Sequence, residues 1–212
     1  MTVYEERSET LQAALNRSIE GIGGADVTLR DLLARIGDHG PLLLCAVMTV
    51  PFLLPISVPG VSTVFGLAII LLGFGIAANR LPWLPARIMD RALDGQKLEA
   101  VLRRGLQLAE RIERVIRKRV EAVTTGRLMN RLNGLAIVAG GVLLMFPLGL
   151  VPFSNTLPAF AILFLSLGMA QRDGAFVLAG YMMLLVTVIY FAALAYAAVA
   201  AGQGIVSMFT SG

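Results

Sequence analysis

The side chains in this chain that are able to bind a ligand are hydroxyls and amides that interrupt apolar sequence. Ser62 and Thr63 stand in one interruption, and Ser154, Asn155 and Thr156 stand in another. Polar groups at membrane depth are costly unless they are paired, and helix ends released by proline can hold an ion or a polar headgroup. These residues are therefore predicted to form a binding site. The alternative is that they only cap the helices that restart after each interruption.

Two arginines complete the candidate set. Arg80 and Arg172 each end the apolar run that follows an interruption, and Asp173 comes directly after the second. The planar guanidinium group can recognise a phosphate or a uronate carboxylate through two parallel hydrogen bonds. The alternative is that both arginines anchor helix ends at the lipid headgroups.

Patterns typical of enzymes are missing from the sequence. There is no HExxH, CxxC, GxxxxGK or GxSxG segment. Asp90 and Asp94 lie in a charged segment without the context of a nucleotide-sugar transferase, and the single cysteine, Cys45, excludes an internal disulfide. A buried thiol usually acts as a small hydrophobic group. We therefore expect no catalytic residue, no bound metal and no cofactor.

The composition indicates an integral membrane protein. Hydrophobic residues make up 57% of the chain and charged residues 15%, against roughly 25% charged residues in a typical soluble domain. Residues 41–79, 132–171 and 174–212 carry no charged side chain. An apolar run of about 20 residues can cross a bilayer, and its backbone amides must be paired. The sequence thus predicts an all-α integral membrane protein.

One segment of the chain occurs twice. Leu54–Arg80 and Phe146–Arg172 align without a gap at an offset of 92 residues, which matches Pro55 with Pro147, Ser62 with Ser154 and Arg80 with Arg172. In each copy an apolar run is broken by proline and glycine, passes through a polar cluster and resumes before the arginine. The pattern predicts two repeated, proline-broken helical hairpins at residues 40–80 and 132–172.

Three further segments surround the hairpins. Residues 1–39 are predicted to form amphipathic helices, with Thr28 and Asp31 as a capping pair. Residues 81–131 contain a predicted amphipathic helix, Leu98–Val123, and residues 173–212 form a C-terminal transmembrane helix. From residue 80 to 131 there are thirteen Lys and Arg against six acids, a net charge of +7. The basic helix either lies on the anionic membrane surface or packs on the N-terminal helices as a cytosolic cap. Acidic residues interspersed along it argue against nucleic acid as a partner.

The charge distribution also predicts a topology. An excess of Lys and Arg favours a cytoplasmic location for residues 81–131, so that fully crossing hairpins run parallel to each other. However, Val64–Ala78 has 15 residues, which cover only about 22 Å of a hydrocarbon core roughly 30 Å thick. Re-entrant hairpins are therefore the alternative.

Small residues predict where helices approach closely. They are Gly66, Gly73 and Gly75 in the first hairpin, Gly134, Gly140 and Gly141 in the second, and Ala193, Ala197 and Ala201 in the last helix. The alanine stripe suits either an internal packing seam or a homodimer contact.

Two stretches of the chain resemble the two signature segments of the exopolysaccharide synthesis protein family ExoD. They are LPISVPGVSTVFGL from Leu54, followed by RLPWLP from Arg80, and VPFSNTLPAFAILFLSLGMAQRDG from Val151. The similarity extends from about Thr28 to the C-terminal helix, with Ser154 standing where the family pattern has glycine. The resemblance implies a bacterial inner-membrane protein associated with exopolysaccharide production, and it implies no catalytic residue.

Two functional hypotheses follow. In the first, the protein is a transporter-like or ion-coupled membrane protein whose duplicated hairpins form a polar site. A polysaccharide, a lipid-linked precursor or an ion would bind there. In the second, it is a non-transporting scaffold or regulator that recruits a polysaccharide assembly complex through its basic helix.

Overall fold

The computed structural model describes residues 27–28, 31, 39–53, 61–79, 90, 92–93, 123–146 and 151–210. Within these ranges the chain forms five α-helices: α1 His39–Leu53, α2 Val61–Ala77, α3 Arg127–Met145, α4 Thr156–Gln171 and α5 Gly174–Thr210. It also forms two strands of two residues each, β1 Val27–Thr28 and β2 Ala92–Leu93. The predicted helical fold class is confirmed for this part of the chain. Arg80 and all of the predicted basic helix except its last residue, Val123, lie outside the described residues.

Prolines and one residue in the left-handed conformation mark the ends of α1 and α4. Helix α1 continues through Pro51 and ends at Leu53, two residues before Pro55. Helix α4 carries Pro158 in its first turn, where a missing backbone N–H costs nothing. It ends at Gln171, and the next residue, Arg172, caps it: Arg172 is left-handed at φ 56° and its N–H bonds back to the carbonyls of Gly168 and Met169. Helix α5 begins directly afterwards, and Oδ1 of Asp173 accepts the Ala175 N–H at 2.9 Å.

Helices α1 to α4 form a four-helix arrangement in which each packs on the next and α4 packs on α1. Neighbouring helices are antiparallel. Between α2 and α3, Gly66 lies against Met145 and Gly73 lies against Val138. Between α1 and α2, the ring centroids of Phe52 and Phe65 are 5.8 Å apart. The C-terminal ends of α1 and α3 and the N-terminal ends of α2 and α4 therefore lie together at one end, the turn end. The opposite end, with Arg127, Arg131 and Arg172, is the arginine end. The two hairpins run parallel to each other.

Glycines bring α2 and α3 into backbone contact. A Cβ added to Gly134 would lie 2.5 Å from the Ala77 nitrogen, and one added to Gly73 would lie 3.1 Å from the Gly134 carbonyl oxygen. One added to Gly66 would lie 3.1 Å from the Gly141 carbonyl oxygen. The close approach predicted for these glycines is confirmed, because no side chain fits between the two backbones.

The pattern of burial repeats between the hairpins. Positions 92 residues apart that are both buried include Cys45 and Ile137, Phe52 and Leu144, Ser62 and Ser154, Gly66 and Pro158, Ile69 and Ala161, and Ala77 and Met169. Corresponding helices therefore turn corresponding faces towards the interior.

Helix α5 lies outside this arrangement and packs mainly on α4. The contact is close at Gly168, where an added Cβ would lie 2.6 Å from the Val177 nitrogen, and at Gly180, where it would lie 2.7 Å from the Leu165 Cγ. The Ala193, Ala197 and Ala201 stripe is exposed. It is therefore not a packing seam between described parts of this chain.

Two helices in the described ranges are long and apolar enough to cross a membrane, Arg127–Met145 and the Gly174–Ala201 part of α5. The remaining three helices are apolar but shorter. Large apolar side chains cover the outer face of α5, namely Leu178, Met182, Leu185, Val186, Val188, Ile189, Tyr196 and Val199. The length and composition of α5 agree with the predicted C-terminal membrane helix.

The strand pair joins the N-terminal segment to the basic segment. β1 and β2 are antiparallel, with Val27 opposite Leu93 and Thr28 opposite Ala92. The predicted capping pair is confirmed: the Thr28 hydroxyl donates to Asp31 Oδ2 at 2.7 Å and accepts the Asp31 N–H at 3.1 Å. Of the two roles left open for residues 81–131, contact with the N-terminal segment is thus observed at β2.

Candidate functional site

The predicted site residues separate into two groups. Ser62, 9% exposed, is the second residue of α2, and Ser154, 1% exposed, precedes α4, so both lie at the turn end. Asn155 and Thr156 are half-buried beside Ser154, whereas Thr63 is exposed. Arg172 lies at the other end of α4. The 16 residues of that helix hold the two groups about 24 Å apart.

The turn before α4 contains a buried acceptor. Asn155 occupies the position where a side chain usually caps the helix, but it makes no capping hydrogen bond. Its Oδ1 is buried and has no hydrogen-bond partner among the described residues. The neighbouring Ser154 hydroxyl donates to the Val151 carbonyl oxygen at 2.8 Å. A buried acceptor left unpaired costs about 1–3 kcal/mol, and the predicted capping role is not seen for the Asn155 side chain.

Helix α5 braces this turn from outside. The Tyr190 hydroxyl donates to the Pro152 carbonyl oxygen at 2.6 Å, and the Phe146 and Phe191 rings meet edge to face at 5.7 Å. Sequence reasoning missed Tyr190, because its only signal was a tyrosine inside an apolar run. The contact depends on the register of α5 along α4.

The backbone of Phe153, in the turn before α4, adopts a strained conformation. Its backbone is left-handed at φ 63° and its side chain is 61% exposed. Bulky residues rarely adopt this conformation, which glycine adopts freely. Phe153→Gly is therefore expected to raise the free energy of unfolding by about 0.5–1 kcal/mol, measured by thermal unfolding of the purified protein. Phe153→Ala is the control, since it removes the ring but keeps the strained Cβ. Equal stability of the two variants would contradict the strain.

The arginine end holds a second set of polar side chains that sequence reasoning also missed. Asn133, fully buried in α3, donates from Nδ2 to the Val123 carbonyl oxygen at 3.0 Å and accepts the Tyr181 hydroxyl at 2.8 Å. Asn130 lies one turn earlier on the same helix. The available signal was the spacing of two asparagines three residues apart at the start of an apolar run, which places them on one helix face.

The turn end presents hydroxyl and amide groups, whereas the arginine end combines the amides Asn130 and Asn133 with the charged Arg127, Arg131, Arg172 and Asp173. Within the described ranges, no group of three or more His, Cys, Asp or Glu side chains lies close enough together to hold a metal ion. The chemistry that the turn end supports is recognition through amide and hydroxyl groups.

Comparison with known proteins places the chain in a family. Residues 11–193 match the family model described as exopolysaccharide synthesis, ExoD. Protein ExoD of Rhizobium meliloti (strain 1021) is 54% identical over 208 residues, covering 98% of this chain and 87% of that protein. An uncharacterised protein of Synechocystis sp. is 30% identical over 174 residues, covering 79% of this chain and 81% of that protein. No solved structure matches. On the strength of its family match and of these relatives, the chain belongs to the exopolysaccharide synthesis family ExoD.

Proposed function

We propose that this protein is a multi-pass protein of the bacterial inner membrane that supports exopolysaccharide synthesis or export. A transporter-like polar site lies at the turn end of its duplicated hairpins. The apolar outer surface supports a membrane location, because α2 and α3 as well as α5 expose large apolar side chains, including Val64, Phe74, Leu128 and Leu135. Soluble monomers rarely expose contiguous apolar surface on this scale.

The repeated burial pattern supports an origin by duplication of one hairpin. Transporters built from repeats often bind their substrates where helices are broken. Parallel hairpins agree with a cytoplasmic arginine end, since residues 80–131 connect α2 to α3 at that end and carry the excess positive charge. The two turns then face the opposite side of the membrane. Cysteine labelling at positions 60, 100, 153 and 210 in a Cys45→Ala background tests this topology.

The buried Oδ1 of Asn155 is the observation that carries the proposed site. It lies beside the buried Ser154, and its side chain is not engaged in capping. A polysaccharide, a lipid-linked precursor or an ion would supply the missing donor or positive charge. The pseudo-equivalent Ser62 is also buried, so both hairpins contribute a polar group at the turn end.

Removing these polar atoms tests the proposal. The Ser154→Ala, Asn155→Ala double variant is expected to lower exopolysaccharide at least about tenfold, as expected when buried recognition bonds are lost. The readout is polymer yield in a strain that carries the variant as its single copy of the gene, at matched protein level. Thr49→Val is the control, because it removes a buried hydroxyl that already bonds the Ala46 carbonyl oxygen within α1, outside the proposed site. Wild-type polymer in the double variant would reject the turn-end site.

The scaffold hypothesis remains the second candidate, and the pairing of β1 with β2 favours it. That pairing attaches the N-terminal segment to the basic segment, as expected for a cytosolic platform. Reversing Arg114, Arg117 and Arg119 to glutamate should then eliminate polymer, while the Ser154, Asn155 double variant stays normal. The opposite pattern supports the polar site.

A further inference from the structure

The turn that precedes α4 is held from outside by Tyr190 in α5. The hydroxyl of this tyrosine donates to the Pro152 carbonyl oxygen at 2.6 Å. The next residue, Phe153, has a left-handed backbone at φ 63° and a ring that is 61% exposed. A bulky residue keeps such a costly conformation only where its surroundings impose it, and an exposed ring gains little from burial. The restraint on Phe153 must therefore come from its backbone.

The hydrogen bond from Tyr190 acts directly on that backbone. The Pro152 carbonyl group and the Phe153 nitrogen belong to one planar peptide unit, so a change in φ of Phe153 turns this unit relative to α4. A carbonyl oxygen tied to α5 opposes that rotation. Ser154 also donates to the Val151 carbonyl oxygen at 2.8 Å, but this bond lies within the turn and does not fix it to another helix.

The conformation of Phe153 decides whether the Asn155 side chain can cap α4. A capping side chain accepts from the N–H of the second or third helical residue. The second residue, Leu157, already donates its N–H to the Phe153 carbonyl oxygen at 3.0 Å. The third residue, Pro158, has no N–H. Neither position leaves a donor for Asn155, which explains why its buried Oδ1 has no partner.

A relaxed turn would withdraw this acceptor. If Phe153 adopted a negative φ, its carbonyl group would turn away from the Leu157 N–H, and Oδ1 of Asn155 could accept that N–H as an ordinary cap. Relief of the strain and gain of the cap favour the relaxed turn, whereas the Tyr190 hydrogen bond favours the observed one. These contributions are similar in size. Loss of one hydroxyl is therefore enough to shift the balance between the two conformations.

We propose that Tyr190 is a positioning residue for the turn-end site. Its hydroxyl holds the turn in the conformation that keeps Oδ1 of Asn155 off the helix and free to bind a ligand. Helix α5 thereby controls whether the site is competent. This inference rests on the proposed function, because it concerns the acceptor on which the turn-end site depends.

The conformation of Phe153 can be followed in the full-length protein in lipid nanodiscs. Phe153 and Ser154 form the one Phe-Ser pair in the sequence, so ¹³C-labelled phenylalanine combined with ¹⁵N-labelled serine gives a single NMR correlation from this peptide bond. The Cα shift linked to it reports the left-handed or the relaxed backbone. Tyr190→Phe removes only the hydroxyl, and it should shift the ratio of the two conformations about three- to tenfold towards the relaxed turn, as expected for loss of one hydrogen bond.

Polymer yield at matched protein level gives the second readout. Tyr190→Phe should lower exopolysaccharide by a similar factor, because fewer molecules present a free Asn155 oxygen. Adding Phe153→Gly to Tyr190→Phe should restore most of the polymer, since glycine adopts the left-handed conformation without strain. Phe153→Ala in the same background should not restore it. Tyr181→Phe is the matched control, because it removes the α5 hydroxyl that bonds Asn133 at the arginine end and should change neither readout.

Two results would overturn the inference. An unmoved Phe153 signal in Tyr190→Phe would show that the hydroxyl does not hold the turn. Loss of polymer that Phe153→Gly fails to restore would show that Tyr190 only supports the packing of α5. Failure of the proposed function has a different signature: wild-type polymer in the Ser154→Ala, Asn155→Ala variant rejects the site together with the positioning role, whatever the Phe153 signal does.

Discussion

Replacing Gly134 with alanine should destabilise the protein by about 1–3 kcal/mol, the usual cost of overpacking a well-packed core. The new Cβ would lie 2.5 Å from the Ala77 nitrogen and 2.8 Å from both its Cα and its Cβ. A backbone cannot rotate away as a side chain can, so α2 and α3 would have to separate. The better helix propensity of alanine, worth about 1 kcal/mol, offsets only part of this. The midpoint of thermal unfolding in detergent measures the change.

Two variants calibrate this effect. Gly66→Ala should cost less than Gly134→Ala, because its nearest clash at 2.5 Å is the Met145 Cγ, which belongs to a flexible side chain. Ala139→Leu adds volume on the exposed face of α3 and should leave stability almost unchanged. If Gly134→Ala unfolds at the wild-type temperature, the backbones of α2 and α3 are farther apart than the structure places them.

Replacing Asn133 with leucine should cost about 1–3 kcal/mol. This side chain is fully buried, and it joins α3 both to Tyr181 in α5 and to the Val123 carbonyl that precedes α3. Leucine has a similar volume, so little cavity forms. The cost arises because the Tyr181 hydroxyl and the Val123 carbonyl oxygen each lose a partner. Unfolding by heat or denaturant measures the difference from wild type.

A double-mutant cycle isolates the bond between Asn133 and Tyr181. Tyr181→Phe alone should cost about 0.5–1.5 kcal/mol, and less in the Asn133→Leu background, where the partner oxygen is already absent. Tyr190→Phe is the matched control, because its hydroxyl bonds Pro152 at the turn end and should add independently to Asn133→Leu. Strict additivity of the Asn133 and Tyr181 substitutions would show that the bond contributes nothing to stability.

Much of the fold could be predicted because its signals are local. Helix periodicity, proline breaks and uncharged runs located α1 to α5 along the chain, since backbone amides in apolar surroundings must be paired within each segment. The Thr28 and Asp31 pair was predictable for the same reason, because both partners lie within one helical turn. Glycine spacing predicted that one face of α2 and one face of α3 each lie close to another helix. It did not predict that these two faces contact each other.

Three features were decided by tertiary packing alone. They are the unpartnered Oδ1 of Asn155, the bracing of the turn by Tyr190 and the hydrogen bond between Tyr181 and Asn133. None has a signal within one segment. Each depends on which helices pair and in what register, and that choice is made when glycine-lined backbones and apolar faces from distant parts of the chain fit together. The sequence by itself therefore determined the segments and the family, whereas only the packed bundle decided which polar atoms meet and which remain buried without a partner.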